Sequence, residues 1–144
     1  MAAEPIVSVN VFCNDLDRVF DFYRLLLGLE EAVEQRSPIY RALRIGHSDL
    51  GFHAPAAVEL LHAGGLRVDT PCVAHYPTFH VDSSERVDAL VELALDLGGA
   101  VLKAPYLTYY NAWQAVLQDP ERNFFRVNHY FAGAVAPATG GAPP

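Results

Sequence analysis

The chain has 144 residues, 51% hydrophobic and 19% charged, enough apolar material for one well-buried domain and too much for wholesale disorder. Its formal charge is −7, with one lysine and scattered arginines, so it lacks the basic stripe that would neutralise a run of phosphates and nucleic acid is excluded as an expected partner. Two cysteines, Cys13 and Cys72, allow at most one bridge, and no window offers the ~18 apolar residues that cross a bilayer. The expectation is a reduced, cytoplasmic protein with no membrane partner.

Residues 6–13, IVSVNVFC, alternate as a strand, with Val7, Val9, Val11 and Cys13 on a face expected to meet a helix and Ser8, Asn10 and Phe12 on the other. Asn14 with Asp17 reads as a helix start. Leu16, Val19, Phe20, Tyr23 and Leu27 form an apolar stripe that Gly28 ends. Short strands are expected around Ala32–Gln35, Ile39–Ile45 and Leu50–Ala54, divided by Ser37-Pro38 and by the turn Gly46–Asp49. Residues 56–72 read as a linker in which Ala56–His62 can hold a helical turn or two.

The same grammar then repeats. Pro77–Val81 gives a strand, and Asp82 with Glu85 a capping box. Val87, Leu90, Val91, Ala94 and Leu97 form a helix stripe, stopped by Gly98-Gly99. Strands follow at Ala100–Lys103, Trp113–Gln118 and Phe124–Tyr130, the last two joined by a turn at Asp119–Arg122. Asp82 aligns with Asp15 and Gly98 with Gly28, so both halves read βαβββ. The organisation expected is a single domain over 5–130, composed of a module 5–55, the linker and a module 73–130, with a flexible tail at 131–144.

These paired units, with NDLDRVFDFYRLLLGLEE at 14–31 and DPERNFFRV at 119–127, resemble the vicinal oxygen chelate superfamily of glyoxalases, bleomycin-resistance proteins, fosfomycin-resistance enzymes and extradiol dioxygenases. Asp15, Leu16, Phe22, Tyr23, Leu27 and Gly28 match the first family motif, and Asp119, Pro120, Asn123 and Val127 the second. Arg122 stands where a glycine is usual and Arg126 where a glutamate is usual. The resemblance implies an α+β fold in which two βαβββ modules form an incomplete barrel around a central cavity. It also implies four metal corners, which fall on Ser8, Gly51, Tyr76 and Arg126. A hydroxyl, a bare α-carbon, a phenol and a guanidinium are poor ligands for a divalent cation, so neither metal nor cofactor is expected. A two-residue shift would bring in Asn10, His53, His80 and Asn128, but the motif anchors argue against it.

The cavity is therefore expected to take a small molecule. Ser8, Asn10, Thr78, Gln114 and Asn128 would orient it, and Phe12, Tyr76, Val116 and Phe124 would wall it. Tyr109 and Tyr110, from the aromatic stretch Pro105–Trp113, would stack on it from a loop over the mouth, while Trp113 turns toward the helix layer. Arg126 either grips an anionic ligand oxygen or pairs with Glu121 or Asp49. The implied function is sequestration of a compound by a metal-free homodimer. The alternative is a lyase, isomerase or dioxygenase of the same superfamily that uses a displaced metal set or acid/base chemistry at His53, His80 and Arg126.

Overall fold

A computed structural model describes residues 4–66 and 75–133; Cys72, part of the linker and most of the tail lie outside the described residues. The chain divides into two compact units, Met1–Cys72 and Val73–Pro144. The architecture is α+β, with one open sheet in each unit. No described helix is long and apolar enough to cross a membrane.

In the first unit, strand β1 (Val9–Phe12) leads into helix α1 (Leu16–Leu27). The cap is Asp15 rather than Asn14: its carboxylate accepts from the Arg18 amide at 3.1 Å, satisfying a donor that the first turn leaves over. Gly28 ends the helix at φ +64°, a left-handed conformation that costs glycine little. The buried stripe holds Leu16, Val19, Phe20 and Tyr23 as expected, but closes on Leu26 rather than Leu27. Each of these side chains contributes roughly 1.5–3 kcal/mol by leaving water.

Strands β2 (Tyr40–Ile45) and β3 (Ser48–His53) form a hairpin, and β1 adds to β3 in parallel, giving the order β1-β3-β2. The strand expected at Ala32–Gln35 is reduced to a bridge between Glu31 and Leu43 and a 3₁₀ turn, Val33–Gln35. There the Gln35 amide bonds back to the Ala32 carbonyl, which closes a turn and ends the ladder. Phe52 packs between Phe20 and Tyr23 of α1, at 5.8 and 5.5 Å between ring centres. Helix α2 (Ala56–Leu60) follows.

In the second unit β4 (Thr78–His80) leads into α3 (Ser84–Asp96), capped by Ser83 rather than Asp82 through a 3.1 Å bond from the Arg86 amide. Strands β5 (Ala100–Leu107), β6 (Ala112–Gln118) and β7 (Phe124–Tyr130) complete the order β4-β7-β6-β5. Strand β5 runs through Pro105, so Tyr106 belongs to a strand and the expected loop shrinks to the hairpin turn 108–111. An edge strand tolerates this proline because only one of its sides is paired, and the register shifts on either side of Lys103 take up the irregularity. The β6–β7 turn is held by Asp119, whose carboxylate accepts from the amides of Glu121 and Asn123 and from the Asn123 side chain. Arg122 sits there at φ +69°, a left-handed position that favours glycine. Phe79, Ala115, Leu117, Phe125 and Val127 are buried toward α3, and Trp113 shares their side, donating to Asp88 of α3 at 2.7 Å.

Candidate functional site

Strand alternation puts a second set of side chains on the face of each sheet away from its helix. In the first unit Asn10 pairs with Gly51, and both Phe12 and Tyr40 pair with His53. The Asn10 amide oxygen lies 3.0 Å from His53 Nε2, making Nε2 the donor and leaving the lone pair on Nδ1. Tyr40 and Phe12 flank the imidazole at 4.7 and 5.8 Å between ring centres. Burial holds His53 below its ordinary value of 6.5 and raises the Tyr40 phenol, the latter helped by the charge of Asp49. Gly51 is what lets this cluster close. A Cβ there would come within 2.4 Å of the Asn10 oxygen and 2.7 Å of the Tyr40 hydroxyl.

In the second unit the cross-strand pairs Thr78–Arg126, Val116–Arg126, Gln114–Asn128 and Tyr106–Gln114 build a polar patch across all four strands. Gln114, only 2% exposed, is its hub. Its nitrogen donates to the Tyr106 hydroxyl at 2.6 Å, and its oxygen accepts from Tyr110 at 2.5 Å and from Arg126 Nη1 at 3.1 Å. Arg126 Nε donates to the Thr78 hydroxyl at 2.9 Å, and the guanidinium carbon lies 5.1 Å from the Tyr76 ring centre. Tyr76 meets Phe124 edge to face at 4.8 Å. Further along β7, the fully buried Asn128 approaches His80 Nδ1 at 3.5 Å while its own oxygen has no hydrogen-bond partner, and His80 stacks on Tyr130. Partial burial, and then the Arg126 charge, lower the His80 imidazole below 6.5.

The structure thus brings Asn10, Phe12 and His53 together in one unit, and Tyr76, Thr78, Tyr110, Gln114, Phe124 and Arg126 together in the other. Ser8 precedes β1 and is exposed, and exposed Tyr109 meets the Tyr110 ring edge to face. Tyr40 is a participant to which the sequence assigns no role, and Tyr106, expected only within the aromatic stretch, enters as a hydrogen-bond partner of Gln114. Strand parity opposite His53 and Gln114 was the signal, usable only once the hairpin registers are known. Neither acid named as a salt-bridge partner for Arg126 is within reach: among the described residues no carboxylate lies within 4.0 Å of it, whereas Arg24, Arg36, Arg41, Arg44 and Arg86 each have one. An open groove of about 590 Å³ beside α1 carries two of these satisfied pairs, Arg24–Asp21 and Arg36–Glu31, so neither of its arginines has an unspent charge to offer.

A family model described as the Glyoxalase/Bleomycin resistance protein/Dioxygenase superfamily matches residues 6–127. Among solved structures, a glyoxalase/bleomycin resistance protein/dioxygenase family enzyme from Burkholderia phytofirmans PsJN is 42% identical, covering 86% of this chain and 97% of its own, with a TM-score of 0.81. A glyoxalase/bleomycin resistance protein/dioxygenase from Nocardioides shares the fold at 15% identity, 100% and 92% coverage and a TM-score of 0.72. A lactoylglutathione lyase from Agrobacterium tumefaciens does so at 19% identity, 90% and 96% coverage and a TM-score of 0.64. The comparison with curated proteins gives no match. This chain belongs to the glyoxalase/bleomycin resistance protein/dioxygenase superfamily.

Proposed function

We propose that this protein binds a small molecule without a metal ion, acting by sequestration. The observation that carries the proposal is Arg126, a half-buried guanidinium held by the neutral groups of Thr78 and Gln114 and given no carboxylate among the described residues. Oriented but not neutralised, such a cation is suited to a ligand oxygen. The four family corners do not fit a divalent cation. Ser8 lies outside its strand, and the space over Gly51 is filled by Asn10 and Tyr40. Tyr76 packs on Phe124, and Arg126 repels a cation. Among the described residues no three His, Cys, Asp or Glu side chains come together.

Titrating the protein with a panel of planar compounds, antibiotics included, while following Trp113 and tyrosine fluorescence tests the reading. A saturable change at one ligand per binding site is expected, and no response to any member overturns it. Elemental analysis of protein purified without chelator gives the second check, because one tightly held transition metal per chain would overturn the metal-free part. Light scattering tests the accompanying proposal of a homodimer, and fractionation of the source cells tests a cytoplasmic location.

One observation favours a second reading, metal-free acid/base catalysis. Asn10 fixes the tautomer of His53 and burial keeps the ring neutral near pH 7, the state a general base requires. Conversion of a bound compound beyond one turnover per protein molecule, lost in His53→Gln, would replace sequestration by this reading.

A further inference from the structure

We infer that the helix-free face of the second unit receives the carboxylate of a flat aromatic acid, with Arg126 as its anchor; this rests on the small-molecule reading above and names the ligand class. Charge placement comes first. The protein carries a net −7, yet the four strands of this sheet contain no Asp or Glu, and their only charged residues are Lys103 and Arg126. The acids of this unit stand instead beside or within α3 and in the β6–β7 turn. Lys103 shares the cross-strand row with Val116 and Arg126 and lies 3.7 Å over the Tyr106 ring. A sheet kept free of carboxylates in an acidic protein leaves a positive patch for a ligand to neutralise.

The hydrogen-bond ledger gives the sign of the missing group. Gln114 spends its nitrogen on Tyr106 and its oxygen on Tyr110 and Arg126. Arg126 spends Nε on Thr78 and Nη1 on Gln114, leaving both Nη2 hydrogens without an acceptor among the described residues. Tyr106 accepts from Gln114 and keeps its own hydroxyl hydrogen to donate. The unspent groups on the guanidinium and on Tyr106 are therefore donors, which call for an acceptor-rich anion; the Asn128 oxygen, an unpaired acceptor, is fully buried two residues further along β7. One guanidinium end and one phenol match a planar, singly charged carboxylate better than a dianionic phosphate, whose oxygens need more donors.

The walls give the rest of the ligand. On this face β7 presents Phe124, Arg126, Asn128 and Tyr130 at a spacing of roughly 6.8 Å, so the cation sits within one ring's width of an aromatic residue. Tyr76, 44% exposed, stands edge to face against Phe124 and also borders the guanidinium, offering a surface on which a flat ring can lie while its carboxylate reaches Nη2.

The test compares 2-naphthoate with 2-naphthamide, cyclohexanecarboxylate and 2-naphthyl phosphate by fluorescence titration at fixed ionic strength, on the wild type, Arg126→Gln and Arg126→Lys. In the wild type naphthoate binds roughly 10- to 100-fold tighter than the amide, the range expected of hydrogen bonds to a charged group, and tighter than the saturated acid or the phosphate. Arg126→Gln abolishes the preference for naphthoate over the amide, while Arg126→Lys, which keeps the charge, preserves part of it. Equal binding of naphthoate and naphthamide by the wild type, or a preference surviving in Arg126→Gln, overturns the inference but leaves the small-molecule reading standing. Tighter binding of the phosphate overturns the carboxylate assignment. Failure of every ring compound to bind overturns both.

Discussion

The two sheets treat arginine in opposite ways. In the first unit Arg41 reaches Asp17 of α1 at 3.3 Å and donates to the carbonyls of Ser37 and Tyr40, and Arg44 pairs with Glu34, so both guanidinium groups brace the fold. In the second unit Arg126 is held by Thr78, Gln114 and Tyr110, none of which carries charge. The polar cluster of the first unit is likewise different, a neutral imidazole, amide and phenol gathered over Gly51. A repeated strand–helix–strand frame fixes which face a residue occupies. It leaves open whether a cation on that face is neutralised or kept available, and that choice separates a structural residue from a binding one.

Gln114→Glu should erase this contrast, with the largest effect expected. The new carboxylate would take over the 3.1 Å contact with Arg126 and accept from Tyr106 and Tyr110, turning Arg126 into a paired arginine like Arg41. The thermal midpoint should hold or rise while affinity for an anionic ligand falls roughly 10- to 100-fold; paired titrations and melts check both halves. Gly51→Ala tests the neutral cluster. Its Cβ would push aside the Asn10 amide and the Tyr40 ring, at a cost of about 1 kcal/mol in a denaturant melt and with loss of the tautomer restraint on His53, visible in the imidazole NMR signals.

The smallest effect is in pH dependence. Because burial lowers the folded-state value of His53 below 6.5, the unfolded chain takes up a proton first as the pH falls. The stabilisation from this residue is therefore complete above 6.5 and declines as the pH drops from there toward the folded value. His80 acts in the same direction, through partial burial and then the charge of Arg126. Denaturant midpoints measured between pH 7.5 and 5.5 should fall less steeply in His53→Gln than in the wild type, whereas equal slopes would place the imidazole in open solvent.

Local chemistry made much of the scaffold legible. Gly28 ends α1 because a left-handed residue is needed there, and the alternation of β6 turned Trp113 toward α3, where it bonds Asp88. The caps fall one residue beyond those expected, on Asp15 rather than Asn14 and on Ser83 rather than Asp82, because several oxygen-bearing side chains stand together at each helix start and only the backbone trajectory selects one. Strand β5 outruns the expected Ala100–Lys103 and reaches Leu107 through Pro105, which an edge strand tolerates.

The sequence by itself determined the repeated strand, helix and hairpin of the two units, though not the short strand expected at Ala32–Gln35, together with the apolar stripes and the set of polar residues aimed away from the helices, consequences of the 3.6- and 2-residue periods. Only the tertiary structure decided their partners. Tyr40 reaches His53 and Gln114 reaches Arg126 because antiparallel registers place them opposite or diagonal to each other, 13 and 12 residues apart along the chain. Glu121, much nearer to Arg126 in sequence, is directed elsewhere by a turn organised around Asp119. Pairing across strands is set by the register of the whole ladder, a sum over many residues that no single position carries.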